Sequence, residues 1–212
     1  MRYDISVPYG TETPPWPGDT PYSCRWAWDM SQGASVNVGQ ITTSWHVGTH
    51  ADAPRHVSVA GDTSEALPLS VFSGPATVID ARDANAGPSI TIEWLSTALE
   101  GRRLPERLLV RTGRSVATGV FPDEWPTLTA DAAHWLARGG LRLLGVDAPS
   151  VDPRAASELT VHRALFDGGA WLLENLQLAD VPDGDYQLIA YPVLVTGADA
   201  APVRAVLETL HR

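Results

Sequence analysis

Apolar and polar residues alternate over short stretches of the chain, and most of these stretches are too short for a helix. Stretches of about four to eight residues that are rich in β-branched and aromatic side chains, and bounded by Gly, Pro or Asp, are typical of β-strands. The pattern predicts strands over 2–7, 24–28, 34–45, 76–80, 107–111, 141–147, 171–176 and 188–195.

Helical spacing of apolar residues occurs in fewer places. A hydroxyl or a proline at the start of such a segment, and a glycine at its end, are the usual helix boundaries. The predicted helices cover 92–99, the segment from the N-cap Thr129 to Gly139, a short stretch at His162, and a closing segment from Pro202 to about Leu210.

Strands and helices alternate from residue 76 onward, whereas residues 1–60 are mostly strand and loop. This order predicts an α/β fold with a mixed sheet, in which a β-rich N-terminal part packs on an alternating α/β part. No repeat or flexible linker interrupts the chain, so we expect one domain over 1–212. Of the eight tryptophans, Trp16 lies in a Pro- and Gly-rich loop over 11–21, which makes it a candidate for lining a pocket.

The composition of the 212 residues is that of a globular protein. Hydrophobic residues make up 44% and charged residues 19%, which provides for one sizeable core and excludes a mainly disordered chain. The formal net charge is −10, and no basic cluster offsets it. Because that charge repels phosphate groups, we expect neither nucleic-acid binding nor attachment to an anionic membrane.

Cys24 is the only cysteine, which excludes an internal disulfide and every cysteine-rich zinc site. A bound metal would therefore need histidine and carboxylate ligands. The opening residues show no basic start followed by an apolar stretch, so a secretory signal is not expected. The longest strongly apolar stretch, 188–195, is too short to cross a bilayer. We expect a soluble, cytoplasmic protein.

The most informative segment is 46–56, which reads HVGTHADAPRH and contains three of the six histidines. His46 and His50 are spaced as in helical metal sites, but the intervening Gly48 and the β-like sequence before it favour an extended segment. In a strand, the two histidines and Asp52 point to the same side as Gly48, which would leave room for an ion between the imidazoles.

Two imidazoles and a carboxylate are suitable ligands for zinc, manganese or iron. A single His-x-x-x-His pair is more often a polar surface strand with coincidental histidines. The further presence of Asp52 and His56 in the same segment favours a metal site.

Glu174 stands among strongly apolar residues of the strand predicted over 171–176. Burial of an unpaired carboxylate is costly, so a buried Glu174 should face a cation. The alternative is an outward-facing position on a half-exposed strand. His162, near the start of its short helix, would be unremarkable if it were exposed to solvent.

Three other polar residues are expected to have structural or solvent-exposed positions. Asp147 ends an apolar strand, where α/β folds often place functional groups, but a turn-forming role before Pro149 is the simpler interpretation. His134 belongs to a helical pattern and is expected to be structural, and His211 is expected to be solvated.

The segment 46–56 resembles the HxGTHxDxPxH motif of the metal-dependent cyclase/formamidase family, and within it that of the bacterial kynurenine formamidases. Residue 148 is Ala where the family pattern has Thr, a departure that could alter a hydrogen bond but touches no expected ligand. Further elements follow in the family's order over nearly the whole chain: the loop Trp16-Pro17-Gly18-Asp19, GVDAPSVDP over 145–153, His162, LLE over 172–174, and DAAPVRAVL over 199–207.

The resemblance implies a swivelling β/β/α fold, a homodimer and a two-zinc site, for which manganese or cobalt could substitute. It implies His56 as the general acid/base and Trp16 as a residue of the substrate pocket. The implied metal ligands are His46, His50 and Asp52 for the first ion and His162 for the second, with Asp52 and Glu174 shared by both.

The activity that the resemblance implies is hydrolysis of N-formyl-L-kynurenine to L-kynurenine and formate, in tryptophan degradation, by a metal-activated hydroxide. Two alternatives stay open. A related hydrolase of the family could act on a cyclic arylamide such as isatin, because the metal motif does not distinguish the two substrates. A non-catalytic metal-binding protein would keep the ligands but would have no use for His56.

Overall fold

The computed structural model describes residues 1–82, 89–99 and 101–210. The helices are α1 (Ile92–Ala98), α2 (Ala130–Arg138) and α3 (Thr160–Asp167). The strands are β1 (Arg2–Asp4), β2 (Ser23–Trp28), β3 (Val38–Thr42), β4 (His50–Asp52), β5 (Ser73–Asp80), β6 (Ser89–Ile90), β7 (Arg107–Arg111), β8 (Thr127–Leu128), β9 (Leu143–Val146), β10 (Trp171–Glu174), β11 (Gly184–Ile189), β12 (Ala200–Pro202) and β13 (Val206–Thr209).

The main sheet of the described chain has nine strands in the order β1-β13-β11-β5-β7-β9-β10-β4-β12. Its centre, β5-β7-β9-β10, is parallel, and the strands on both sides of it are antiparallel to their neighbours. The mixed α/β fold expected from the sequence is therefore confirmed.

Both faces of the central strands are covered. Neighbouring residues on one strand, such as Leu143 and Leu144, point to opposite faces and are both fully buried. Leu144 packs in a core with the helices, whereas Leu143 packs in a second core on the other face with Phe72 and Leu207. The continuously apolar sequence of these strands follows from burial on both sides.

The helix boundaries of α2 follow the residues that predict them. The Thr129 hydroxyl accepts a hydrogen bond from the amide of Ala132 at 3.1 Å and caps the helix. Gly139 is the C-cap residue, and its amide donates to carbonyls of the last turn. The helices expected over 92–99 and at His162 are also present, as α1 and α3.

The closing helix predicted from Pro202 to Leu210 is wrong, because this segment forms β12 and β13. β13 lies between β1 and β11, where both of its edges find backbone partners and Leu207 is buried opposite Leu188. Pairing with two strands outweighs the weak local preference for a helix, since tertiary contacts routinely override propensity.

The strand predicted over 188–195 is displaced toward the N-terminus, since β11 covers Gly184–Ile189. Pro192 cannot donate to a sheet, and the exposed side chains of Val193 and Leu194 lie outside the core. The other strand predictions hold with shifted ends. For example, the stretch 34–45 contains the shorter β3.

β2 and β3 form a hairpin outside the main sheet, and every residue of both strands is exposed. Trp26 and Trp28 have 58% and 60% of their surface exposed. No helix among the described residues is long and apolar enough to cross a membrane. His134 is exposed on α2, and His211 lies outside the described residues.

The strand assignment of the C-terminal segment predicts unequal effects of two leucine substitutions. Leu207→Ala should lower the free energy of unfolding by about 2–5 kcal/mol, because it removes a fully buried side chain. Leu210→Ala, at a half-exposed residue, should cost less than about 0.5 kcal/mol. Urea unfolding curves measure both values. Similar losses would support the helix instead, since residues three apart share one helix face.

Candidate metal centre

β4 holds His50 and Asp52 within the sheet, between β10 and β12. Both residues are fully buried, and the alternation of side chains along the strand directs both to the face covered by α3. β10 runs antiparallel to β4 and pairs Glu174 with His50. The strand register therefore brings these two carboxylates and the imidazole together on one face.

His46 reaches the same place from a turn, so the expected strand over 46–52 is wrong for its first part. Gly48 has a φ of 69°, in the left-handed region. A side chain at this position would meet the Val7 carbonyl oxygen and the Tyr9 ring, each at 2.9 Å. Glycine is thus required by the close approach of the chain at residues 7–9, and not by room for an ion.

Asn175, which follows β10, holds this turn in place. Its Nδ2 donates to the carbonyls of His46 and Gly48, both at 3.2 Å. Asn175 itself has a φ of 56°, in the left-handed region that asparagine adopts more readily than other residues with a side chain. The sequence analysis missed Asn175, because its role depends on contacts with a segment far away in the sequence.

His162 approaches from α3, on the opposite side of the cluster. The Asp152 carboxylate accepts hydrogen bonds from the amides of Val161 and His162, both at 3.0 Å, and from His162 Nδ1 at 2.6 Å. Leu159, at the N-cap position, provides no side-chain cap. One buried carboxylate therefore caps the helix and orients the imidazole.

The two carboxylates lie between the histidines. Asp52 Oδ1 is 3.3 Å from both His46 Nδ1 and His50 Nε2, and its Oδ2 is 3.4 Å from His162 Nε2. Glu174 Oε1 is 3.3 Å from His162 Nε2, and its Oε2 is 3.6 Å from His50 Nε2. These atoms form two groups that could hold a metal ion, one of His46, His50 and Asp52 and one of Asp52, His162 and Glu174.

The donor atoms of the cluster fit divalent cations. Among the described residues, both carboxylate oxygens of Asp52 and the Nε2 of His162 are buried without a hydrogen-bond partner. Such groups are costly to bury unless a cation faces them. Glu174 is only 4% exposed, which excludes the outward-facing alternative. Nitrogen and oxygen donors without sulfur are typical ligands of zinc and manganese.

Charges within the cluster shift the pKa values of its members. Burial disfavours a charged His46, but the hydrogen bond to Asp199 and the nearby charge of Asp52 raise its pKa to about 10. Burial also lowers the pKa of His162, but the surrounding carboxylates of Asp152, Asp52 and Glu174 outweigh this effect and raise it well above its usual value. Burial raises the pKa of Asp52, whereas the facing imidazoles lower it well below its usual value.

Each of the three histidines directs one ring nitrogen to the centre and the other to a fixed acceptor. Carbonyl and ionised carboxylate oxygens only accept, so the nitrogen beside them carries hydrogen and the opposite one can bind a cation. The acceptors are the Gly48 carbonyl, 2.9 Å from His50 Nδ1, Asp152, 2.6 Å from His162 Nδ1, and Asp199, 3.0 Å from His46 Nε2. The sequence analysis missed both aspartates as functional residues, although both lie in segments that carry the family resemblance.

His56 lies at the rim of the cluster, on the 3-10 turn Pro54–His56 that follows β4. Its ring centroid is 4.4 Å from that of His46 and 5.6 Å from that of His162. The side chain is 28% exposed, and its Nδ1 is 3.3 Å from Asp199 Oδ2. With His46 and Asp199 it forms a third, half-buried group of potential ligands.

A cavity of about 470 Å³ opens over the cluster, with His46, His56, His162 and Glu174 at its base. The Trp16 ring lies edge to face with those of Phe121 and Trp125, with centroids 5.3 and 6.0 Å apart. The apolar lining residues are Pro14, Trp16, Pro17, Phe121, Pro149 and Leu159. An aromatic ligand can pack against this lining while a polar group reaches the base.

Asp147 does not join the cluster. Its carboxylate accepts hydrogen bonds from the amide and hydroxyl of Thr112, at 2.7 and 2.5 Å, and from the amide of Gly113 at 2.9 Å. It ties the loop after β7 to the end of β9, a structural role that differs from the turn-forming role expected before Pro149.

Comparisons with known proteins identify the family of the chain. The sequence profile of the putative cyclase family matches residues 3–153. The chain is 43% identical over 208 residues to the kynurenine formamidase of Bordetella avium (strain 197N), with 98% of each chain covered.

Solved structures show the same fold. A potential metal-dependent hydrolase with cyclase activity superposes with a TM-score of 0.83 at 29% identity, over 98% of this chain and 96% of the other. Isatin hydrolase A from Labrenzia aggregata has a TM-score of 0.81 at 22% identity, over 99% and 93% of the two chains. At that identity the likeness to isatin hydrolase concerns the fold alone.

The raised pKa values predict that metal uptake releases protons. At pH 8 the metal-free protein should hold a proton on His46 that a cation must displace, so zinc affinity should rise with pH until the His46 pKa of about 10. The raised pKa of His162 acts in the same direction. Zinc titration calorimetry in two buffers of different ionisation enthalpy counts the protons. A heat independent of the buffer would contradict the prediction.

Proposed function

The chain belongs to the putative cyclase family, and from that premise we propose that it is a metal-dependent amidohydrolase that converts N-formyl-L-kynurenine to L-kynurenine and formate. The observation that carries the proposal is the convergence of five ligand-type side chains, from two distant parts of the chain, at the base of an aromatic-walled cavity. We propose further that residues 1–212 form one domain, acting in tryptophan degradation.

We propose two zinc ions at this centre, with manganese or cobalt as possible substitutes. His46, His50 and Asp52 would hold one ion and His162 the other, with Asp52 and Glu174 shared. The two-ion arrangement is supported by Asp52, whose two oxygens face different histidines, and by Glu174, whose oxygens do the same. Bound ions of this kind polarise a carbonyl group and lower the pKa of water.

His56 is proposed as the general acid/base. A formamide releases an arylamine only if the nitrogen gains a proton as the C–N bond breaks. His56 lies at the base of the cavity, beside but outside the two buried ligand groups, and so can carry a proton from the attacking water to that nitrogen. Histidine is the residue most often used for such proton transfers.

Trp16 is proposed to hold the aryl ring of the substrate. The tryptophan is fixed by its edge-to-face contacts with Phe121 and Trp125. A ring packed against Trp16 would place the attached formyl group above the metal ligands, and fixing that geometry favours the attack.

The proposal predicts that zinc-loaded protein hydrolyses N-formyl-L-kynurenine and that His56→Ala lowers kcat by about 100- to 10,000-fold. Zinc content should not change, because His56 stands outside the two buried groups. Absorbance of the product gives kcat, and elemental analysis gives zinc per chain. His134→Ala, at an exposed histidine on α2, is the matched control and should retain full activity.

Three results would contradict parts of this proposal. Preference for isatin over N-formyl-L-kynurenine would overturn the substrate. Full activity of the His56→Ala variant would overturn the role of His56. Zinc binding without hydrolysis of either compound would identify a non-catalytic metal-binding protein.

We also propose a cytoplasmic homodimer that contacts its partner through the β2–β3 hairpin. An isolated two-stranded hairpin is marginally stable in water, and this one exposes large apolar side chains. They are Trp26, Trp28, Met30, Val36, Val38 and Ile41. The exposed free Cys24 on β2 suits a reducing compartment.

The dimer proposal predicts that Trp26→Ser combined with Trp28→Ser yields a monomer, because the change removes the two largest apolar side chains of the hairpin. Light scattering after size-exclusion chromatography measures the mass. Val59→Ser, at an exposed valine outside the hairpin, should remain dimeric. A monomeric unsubstituted protein would rule the dimer out.

A further inference from the structure

We propose that Asp199 is a positioning residue for the proton-transfer histidine: one of its carboxylate oxygens accepts hydrogen bonds from both His46 and His56 and thereby fixes the tautomer of His56 with Nε2 unprotonated. The inference rests on the proposed role of His56. The role of Asp199 follows from its contacts with His46 and His56, which are far from it in the sequence.

The contacts of Asp199 converge on a single atom. Oδ2 lies 3.0 Å from His46 Nε2 and 3.3 Å from His56 Nδ1. The two imidazole rings lie side by side, with centroids 4.4 Å apart. One oxygen therefore joins the histidine that faces the buried cluster to the histidine at its rim.

The chemistry of a carboxylate decides which nitrogen of His56 carries hydrogen. An ionised carboxylate only accepts hydrogen bonds, so each nitrogen beside Oδ2 must donate. In a neutral His56 the hydrogen is then on Nδ1, and Nε2 keeps its lone pair. The nitrogen that can take a proton from water is thus specified by a residue that itself touches no substrate.

The backbone around Asp199 is tied to the segment that carries His56. Ala53 donates its amide hydrogen to the Asp199 carbonyl and accepts at its own carbonyl from the His56 amide, each at 2.9 Å. β12, which begins one residue later, pairs Ala200 with Asp52. Asp199 and His56 are therefore both held to the chain at the end of β4, at Asp52 and Ala53.

The backbone of residues 195–198, which precedes Asp199, is also held by hydrogen bonds. The Ser64 amide donates to the Ala198 carbonyl at 2.9 Å, and the Gly197 amide donates to Glu65 Oε2 at 3.0 Å. The Ser64 hydroxyl donates to the Val195 carbonyl at 2.8 Å. Although its side chain is 39% exposed, Asp199 stands on a backbone with bonds on both sides, as a positioning role requires.

Asp199→Asn tests the proposal with almost no change of shape. The amide presents N–H groups as well as an oxygen, so it no longer enforces hydrogen on His56 Nδ1. In the zinc-loaded protein, long-range ¹H–¹⁵N spectra should show His56 as the Nδ1–H tautomer, and Asp199→Asn should convert it wholly or partly to Nε2–H. We expect kcat to fall about 10- to 100-fold with KM nearly unchanged.

Asp62→Asn is the matched control. It removes the same charge at an exposed position, six residues after His56 in the sequence. This variant should keep the His56 tautomer, the kcat and the zinc content of the unsubstituted protein. Zinc per chain is measured for every variant, because Asp199 also contacts His46.

The His56→Ala background separates the two routes by which Asp199 could act. If Asp199 acts through His56, adding Asp199→Asn to His56→Ala leaves kcat unchanged. An equal loss of kcat in both backgrounds would show that the effect passes through His46 and would overturn the proposal. An unaltered His56 tautomer in Asp199→Asn would overturn it too, whatever the zinc content. The tautomer is measured without turnover, so this result is independent of the proposed substrate.

Discussion

The structure depends on the burial of two carboxylates, Asp52 and Glu174, against three imidazoles in the interior of a protein. Moving an ionised carboxylate out of water costs several kcal/mol unless an opposite charge faces it at close range. These two carboxylates lie where β4 and β10 pair. Around that place the histidines are oriented by hydrogen bonds that Asp152 and Asp199 accept and that Asn175 donates. Such an arrangement is stable only with positive charge at its centre, whether as protons or as metal ions.

The sequence predicts the cluster better than it predicts the path of the chain. His46, His50, Asp52 and His56 are recognisable because they lie in one short segment with ligand-type spacing. His162 and Glu174 are ordinary in isolation, and the family resemblance is what joins them to that segment. The strand geometry expected for 46–52 holds for β4 but not for the turn before it, since the close approach of residues 7–9 is a tertiary contact.

Two further differences have the same origin. The segment after Pro202 has the local features of a helix, and pairing with β1 and β11 makes it a strand instead. Asp152 and Asp199 act on histidines 10 and 153 residues away, respectively, so no local pattern identifies them. Boundaries and long-range partners are thus the part of the fold that composition and periodicity leave open. The α2 boundaries, by contrast, depend on Thr129 and Gly139 alone and follow directly from the sequence.

The order of strands in the sheet bears on how the protein is made in the cell. β4 is synthesised early, yet its two neighbours, β10 and β12, come from the last part of the described chain. While the chain grows on the ribosome, the histidine-rich segment 46–56 is therefore synthesised before β10 and β12, which flank β4, and before α3, which provides His162. A cation bound at this centre would be enclosed on both edges of β4 only after translation has passed residue 202, the end of β12.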